Sequence, residues 1–535
     1  MLREGYSLSH VKADLFAGLT VAIVALPLSM AIAIGSGAKP EQGLYAAMIG
    51  GFIISLLGGS RFQIGGPAGA FIVLVATTIT RFGYDGFLLA SMMAGCFMLL
   101  IGYLRLGVYI KYIPHAVTLG FTAGIAVIIF CGEIRDLFGL QIAHEPADIL
   151  EKLNALWAVS PTYSPAAALM SLAVIFVILI IQHINSKLPS LLVAVVGASV
   201  VTWYFHLPIE TIGSRFGAVP NTLPLPHLPH ISLALMSDVL PSAIAIALLG
   251  SIESLLSAVV ADGMSGRHHR PNCELVAQGW ANIASALCGG MCVTGTIART
   301  ATNVRAKAHG PMSGIIHALF ICLFILIAAP LAAYIPLAAL AAVLALVAYN
   351  MIELREIIAL ISISRAEAFI CAITIALTLF RDLSTGIGAG VTMGALLFMH
   401  RMAGLVTFHQ HQPDDETEHT HGTELAVYRL SGPFFFGAST AISAQMDLIG
   451  SGPKVFVLDM ADVPLIDSSG VRALAHFAAR AKALGAVLCV VNAHAPIQSS
   501  LIRHGLETQI TFLKNIGEAE HLALTQDKAR PISVA

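Results

Sequence analysis

The chain reads as a polytopic α-helical membrane protein with a small α/β domain at its C-terminal end. Three observations predict this. Of its 535 residues, 57% are hydrophobic and 11% charged, where soluble domains carry about 25% charged residues. Apolar segments succeed one another to about Met402, and the sequence turns polar from His409 through Asp414-Asp415-Glu416. Two glycine-rich breaks interrupt the apolar part, Gly58–Phe71 and Gly289–Thr300, each opening into a short apolar helix. The net charge of −2 is uninformative about nucleic acid, and the lack of a basic stripe gives no reason to expect it as a partner. The eight cysteines follow no metal or disulfide spacing, and most lie in apolar runs as small hydrophobes.

Hydropathy divides the first part into fourteen segments: 13–35, 41–58, 67–80, 87–104, 113–133, 165–185, 189–206, 238–261, 272–289, 295–307, 311–330, 336–350, 365–381 and 385–404. The first, Leu15 to Ile34 at its apolar core, is long enough to span and lacks a small-residue cleavage site. It reads as a retained span, not a signal peptide. The third and tenth are too short to cross alone, and each follows a glycine break. They stand seven segments apart, and seven is odd, so the second set of seven enters the membrane inverted relative to the first. With both termini cytoplasmic, the inner loops (Lys12, Arg61, Arg105, Lys187, Arg267 and Arg305 among them) hold roughly twice the Lys and Arg of the outer ones. The connections 134–164 and 207–237 then fall outside, with Pro220–Pro229 as irregular loop.

The boundaries follow as a membrane domain over 1–406, a linker over 407–423, a compact domain over 424–525 and a tail over 526–535. Ala426–Leu430, Val455–Asp459 and Val487–Val491 read as strands. Gly470–Leu484, opened by the capping segment Asp467-Ser468-Ser469, and Pro496–His504 read as helices. A sheet of about four strands fits this length. His409, His411, His419 and His421 have H-x-H spacing but flank an acidic, proline-containing stretch, which reads as solvated linker and not as a metal site.

In a bilayer, unwound backbone persists only where protein or a water-filled cavity satisfies it. Matching broken helices in two halves point to a carrier's substrate site. The free N–H groups and positive dipole ends of both half-helices suit an anion. Pro27, inside the first segment, frees a carbonyl and kinks the helix, either as a tolerated bend or to line the same cavity. Glu253, mid-membrane in the eighth segment, is a costly carboxylate, functional or held by a neighbouring helix; Ser257 stands four residues on, on the same face. Desolvation makes a proton a plausible coupled ion there. Arg299, just inside the second half-helix, offers a forked donor to an oxyanion or serves as a structural arginine. Asn272, Glu274, Gln278 and Asn282 form a polar stripe that reads as helix packing and hydrogen bonding. No catalytic constellation, P-loop or metal motif is present in the sequence, which argues against an enzyme or an ATP-driven pump and calls for no cofactor.

Taken in order, Pro27–Ala31, Gly43-Leu44-Tyr45, Gly58–Phe62, Gly66-Pro67, Tyr112-Ile113-Pro114, Gly120-Phe121, Glu253–Gly263 and Gly295–Asn303 resemble the sulfate permease (SulP) family of anion transporters. Val463–Gly470 resembles the STAS domain, named for sulfate transporters and anti-sigma-factor antagonists. The resemblance implies a 7+7 inverted repeat divided into core and gate domains, with an anion held between the third and tenth helices beside the first. It places Leu28, Ser29, Met30, Ala68, Gly69, Ala70, Phe71, Ile297, Ala298 and Arg299 around substrate. Glu253 and Ser257 match positions where sodium-coupled bicarbonate relatives hold their cation with aspartate and threonine; the glutamate here looks like proton coupling.

Many sulfate-type members carry glutamine where this chain has Leu28. The runs Pro27–Gly37, Ala261–Met264 and Ile297–Arg299 look closest to bacterial proton-coupled C4-dicarboxylate carriers of succinate, fumarate or aspartate. The resemblance also implies a homodimer in the bacterial inner membrane. In the STAS domain, Ser468 after Asp467 maps to a phosphorylation site or is a plain helix cap, and a cytoplasmic protein partner is expected there. Two alternatives stand beside this: a sodium-coupled bicarbonate or sulfate carrier, and a STAS-based membrane sensor with vestigial transport.

Overall fold

The computed structural model describes residues 6–112, 114–142, 146, 149–184, 189–381, 383–410, 425–447, 454–519 and 521–522. They fall into two compact units, 1–391 and 392–535.

In the first unit, α1 (Leu8–Gly35) carries Pro27 within it. Next, α2 (Pro40–Leu57) opens on Pro40, whose missing N–H costs nothing at a first helical position. After β1 (Gly65–Gly66) a 3₁₀ turn over Gly69–Phe71 leads into α3 (Ile72–Tyr103). The third and fourth expected segments share this helix, and Gly83 at φ +71° makes the bend between them, a conformation that penalises any residue with a Cβ. Then come α4 (His115–Phe138), α5 (Ile149–Ala158), α6 (Pro165–Ile184), α7 (Ser190–Tyr204) and α8 (Ile212–Phe216). The second half holds α9 (Leu233–Ser265), α10 (Pro271–Leu287), β2 (Thr294–Gly295), α11 (Ile297–Arg305) and α12 (Met312–Ala328). It continues with α13 (Leu337–Met351), α14 (Leu354–Ile363), α15 (Arg365–Phe380) and α16 (Leu383–Ala403).

Among the described residues, seven helical stretches have the length and composition to cross a membrane, one of them Gly69–Tyr103. Helices α5 and α14 occupy stretches expected to be connections. Both are short and carry an acidic residue in the first turn, so hydropathy alone passes over them. Packing sorts the helices into two groups. In one, α1, α2 and α12 pack on each other, α3 packs on α9 and α10, and α11 lies on α9 and α1. In the other, α4 packs on α13 and α15, α13 on α6, and α6 on α7. These are the expected core and gate, and α1 touches α7 and α13 across the divide.

The second unit is a five-stranded sheet in the order β3-β4-β5-β6-β7: β3 (Thr407–Gln410), β4 (Leu425–Ser431), β5 (Val455–Asp459), β6 (Val487–Val491) and β7 (Ile510–Leu513). The β3–β4 pair is antiparallel and the rest parallel. Alternation along β5 sends Phe456 and Leu458 into one core and Val455 and Val457 into another. Both faces are therefore covered, as a parallel sheet requires. The helices are α17 (Phe436–Asp447), α18 (Ser468–Ala483) and α19 (Ala495–Arg503). Strand β3 corrects the expected linker over 407–423: Phe408 is buried and stacks on Tyr428 at 5.0 Å, which anchors the strand. His409 pairs with Arg429 in that ladder, whereas His411, His419 and His421 lie outside the described residues.

Candidate functional site

The two glycine breaks cross. Gly65 pairs with Gly295 and Gly66 with Thr294 in an antiparallel ladder, and the Thr296 N–H donates to the Ile64 carbonyl at 3.0 Å. Just past the crossing each chain turns into its half-helix, the first at the Gly69 turn and the second at α11. The close approach needs glycine: a Cβ on Gly66 would run into the Arg299 guanidinium at Nη1.

Backbone freed by the breaks is satisfied from within the protein, as a membrane interior demands. The buried Glu274 of α10 accepts from the N–H groups of Gly59 (2.8 Å) and Ser60 (3.1 Å). One turn on, Gln278 donates to Glu274 at 2.9 Å. Asn282 then grips the second break twice, accepting from Val293 N–H at 2.9 Å and donating to its carbonyl at 2.8 Å. Asn272 accepts from Gly107 N–H at 3.1 Å. The polar stripe on α10 is thus hydrogen-bonding material, as expected, and it frames both breaks. Sequence reading missed three further supports. Gln63 donates to the Ser254 carbonyl (2.9 Å), Thr300 Oγ1 accepts from Ile64 N–H (3.1 Å), and Asn303 donates to the Phe62 carbonyl (2.8 Å). Gln63 and Thr300 were visible only as polar residues within the breaks, and Asn303 only as a polar residue on α11.

The expected substrate residues gather here with differing exposure. Leu28, Ser29 and Met30 follow Pro27 on α1 and are buried, as are Ala68, Ala70 and Phe71. Gly69 is half-buried, and Ile297 and Ala298 are exposed at the first turn of α11. Arg299 is fully buried and donates from Nη2 to Ser29 Oγ (3.1 Å) and the Pro67 carbonyl (3.3 Å). It braces α1 against the first break from behind the crossing, while its Nε and Nη1 have no partner among the described residues. Charge so placed acts through its field more than by direct grip.

Glu253 is half-buried on α9, and its carboxylate accepts no hydrogen bond among the described residues. Ser257, one turn on, donates to Thr300 Oγ1 at 3.0 Å and so ties α9 to α11. Of this pair, the carboxylate is the one left open to an ion. In the second unit Asp467 caps α18, accepting from Ser469 and Gly470 N–H at 2.9 Å each. Ser468 is the first, exposed residue of that helix and is not its cap.

A cavity of about 500 Å³ runs along Leu26, Pro27 and Met30 against Val195, Ser199 and Trp203 of α7. Its lining is almost wholly apolar, so it offers little to an anion's charge. The crossing, with two half-helix starts next to it and the buried Arg299, is the better candidate.

Residues 11–374 match the sulfate permease family and 416–519 the STAS domain. The chain is 37% identical to Bacillus subtilis YvdB, a provisionally named sulfate transporter, over 94% of this chain and 95% of that one. It is 31% identical to the bicarbonate transporter BicA of Synechocystis, over 90% and 88% respectively. The solved transmembrane domain of a cyanobacterial BicA superposes with a TM-score of 0.65 at 31% identity, covering 72% of this chain and 99% of that one. The murine Solute Carrier 26 family member A9 anion transporter, in its inward-facing state, has the same fold, with a TM-score of 0.88 at 17% identity over 98% and 93%. With its paired half-helices, core and gate groups and C-terminal sheet, the chain belongs to the sulfate permease family.

Proposed function

We propose that this anion transporter is a secondary active carrier that holds its substrate between the tips of the Gly69 turn and α11, beside Ser29 and Met30, and couples movement to a proton on Glu253. The observation that supports this reading is the antiparallel pairing of Gly65-Gly66 with Thr294-Gly295, which joins the two breaks just ahead of their half-helices. Each tip contributes about half a positive charge, and Arg299 behind them adds a whole one. Roughly two positive charges match a dianion, which favours succinate, fumarate or sulfate; aspartate presents the same two carboxylates of a C4-dicarboxylate at a net charge of about −1. A second reading, a sodium-coupled bicarbonate or sulfate carrier, draws on the relatives named for those anions. In either case the core group moves against the gate group, elevator fashion. The carrier works as a homodimer in a bacterial inner membrane, with cytoplasmic termini and the STAS domain open to a protein partner. Phosphorylation of the exposed Ser468 at the start of α18 fits such regulation, because a phosphate is stabilised by a helix N-terminus.

Uptake of labelled succinate, sulfate and bicarbonate into proteoliposomes, with pH gradient and sodium varied independently, tests the reading. Proton coupling predicts faster uptake with acid outside, no change when choline replaces sodium, and loss of the pH response in Glu253→Gln. Uptake that follows sodium and ignores the pH gradient would select the second reading.

A further inference from the structure

We propose that His317 is a positioning residue for Arg299, a role that rests on the carrier reading above. His317 lies on α12, fully buried, and neither ring nitrogen has a hydrogen-bond partner among the described residues. A neutral imidazole carries one donor and one acceptor, and buried polar groups almost always find partners.

Geometry locates the ring at the back of the crossing. A Cβ on Gly51 of α2 would stand 3.1 Å from the Gly65 carbonyl and 3.6 Å from His317 Cδ2. The imidazole is therefore within a side chain's width of Gly65, while Arg299 presses on the next residue, Gly66. The Nε and Nη1 of Arg299 are unpaired among the described residues, as is Ser55 Oγ, which packs against Gly314 one turn before His317.

The unpaired atoms are complementary. A guanidinium only donates, whereas a serine hydroxyl and a neutral imidazole can accept. A single buried water with two to four polar partners, or a small side-chain shift, joins them. Held from this side by His317 and Ser55 and from the other by Ser29, the guanidinium stays flat against Gly66 with its charge behind both tips. Released from one side, it turns, and its field leaves the anion.

The test uses the full-length protein in proteoliposomes, with initial uptake of sulfate and succinate and thermal unfolding of the same preparations. His317→Leu removes donor and acceptor at similar bulk and should raise KM about tenfold with Vmax within about twofold, as for a lost binding contribution. His317→Gln keeps both hydrogen-bonding functions and should restore KM to within about twofold of the parent. Added to Arg299→Met, His317→Leu should change nothing further, because the two act as one unit. An unchanged KM in His317→Leu, equal impairment in the Gln and Leu variants, or additive effects with Arg299→Met would overturn the assignment. If His317→Leu is not recovered folded, Ser55→Ala decides: a KM raised about threefold supports the cluster, and an unchanged one overturns it. A parent protein that transports none of sulfate, succinate and bicarbonate would overturn the carrier reading too. Normal parent uptake with an unaffected His317→Leu removes only the positioning role.

Discussion

From Gly65 to Ala70 the first break brings only glycine, alanine and Pro67 to the crossing, with no polar side chain, whereas the second brings Thr294, Thr296, Arg299 and Thr300. Their backbones mirror each other in the ladder, yet their chemistry differs. The bare break is held mainly by groups from elsewhere, Glu274, Thr300 and Asn303, with Gln63 its own contribution. The decorated one supplies part of its own support, Thr294 donating to the Gly250 carbonyl at 2.9 Å, and leans on Asn282 for the rest. One break presents backbone and the other presents charge. An inverted repeat can thus keep its geometry with no similarity of sequence between the halves, because only the positions of the breaks must match.

Three substitutions and one double variant probe this contrast. The largest effect is expected from the charged break: Arg299→Met should lower initial uptake on the order of a hundredfold, the scale of losing a preorganised electrostatic group. Equal uptake in that variant would make the charge irrelevant. Glu274→Ala leaves two buried N–H groups of the bare break unsatisfied and should cost on the order of 3 kcal/mol, read as a lower melting temperature in detergent. Asn282→Leu orphans only the two Val293 groups and should cost about 2 kcal/mol. If the double variant falls short of the sum, the two breaks are coupled through their shared ladder; strict additivity would make them independent.

The C-terminal sheet gives a smaller, separate effect. Burial in β6 pushes the Cys489 thiol up to about 11, above the ordinary value of about 8.5. The folded domain holds this proton more tightly than the unfolded chain does. Stability from this group is therefore complete below the ordinary thiol value and is lost as pH rises toward 11. Alkylation of Cys489 at pH 8 should be slow until denaturant is added, and rapid labelling of the folded domain would contradict its burial.

Much of this was readable in the sequence because membranes tolerate few exceptions. Glycine runs and a mid-helix proline stand out against an apolar background, so both breaks, Pro27 and Glu253 could be found by position alone. What hid was partnership. Arg299 was expected at the substrate, but sequence does not reveal that Gly66 leaves room for its guanidinium behind the crossing. The α10 stripe was visible as polar residues four apart, yet its targets, Gly59, Ser60 and Val293, are remote in sequence. Thr407–Gln410 was assigned to the linker because the acidic run after it dominated the local composition, while one buried aromatic, Phe408, was enough to hold a strand. Within the expected capping segment, Asp467 and Ser468 can each cap a helix, and only geometry shows whether a hydroxyl or a carboxylate meets the free N–H groups.

The central claim is that one anion is held by both tips together, and thiol protection tests it most directly. Ala298→Cys and Gly69→Cys, each in a background lacking the eight native cysteines, would be modified by a charged thiol reagent while sulfate or succinate is titrated. The account predicts that a transported anion slows modification at both positions with the same half-protecting concentration. Protection at one tip alone, or at neither under saturating anion, would contradict it.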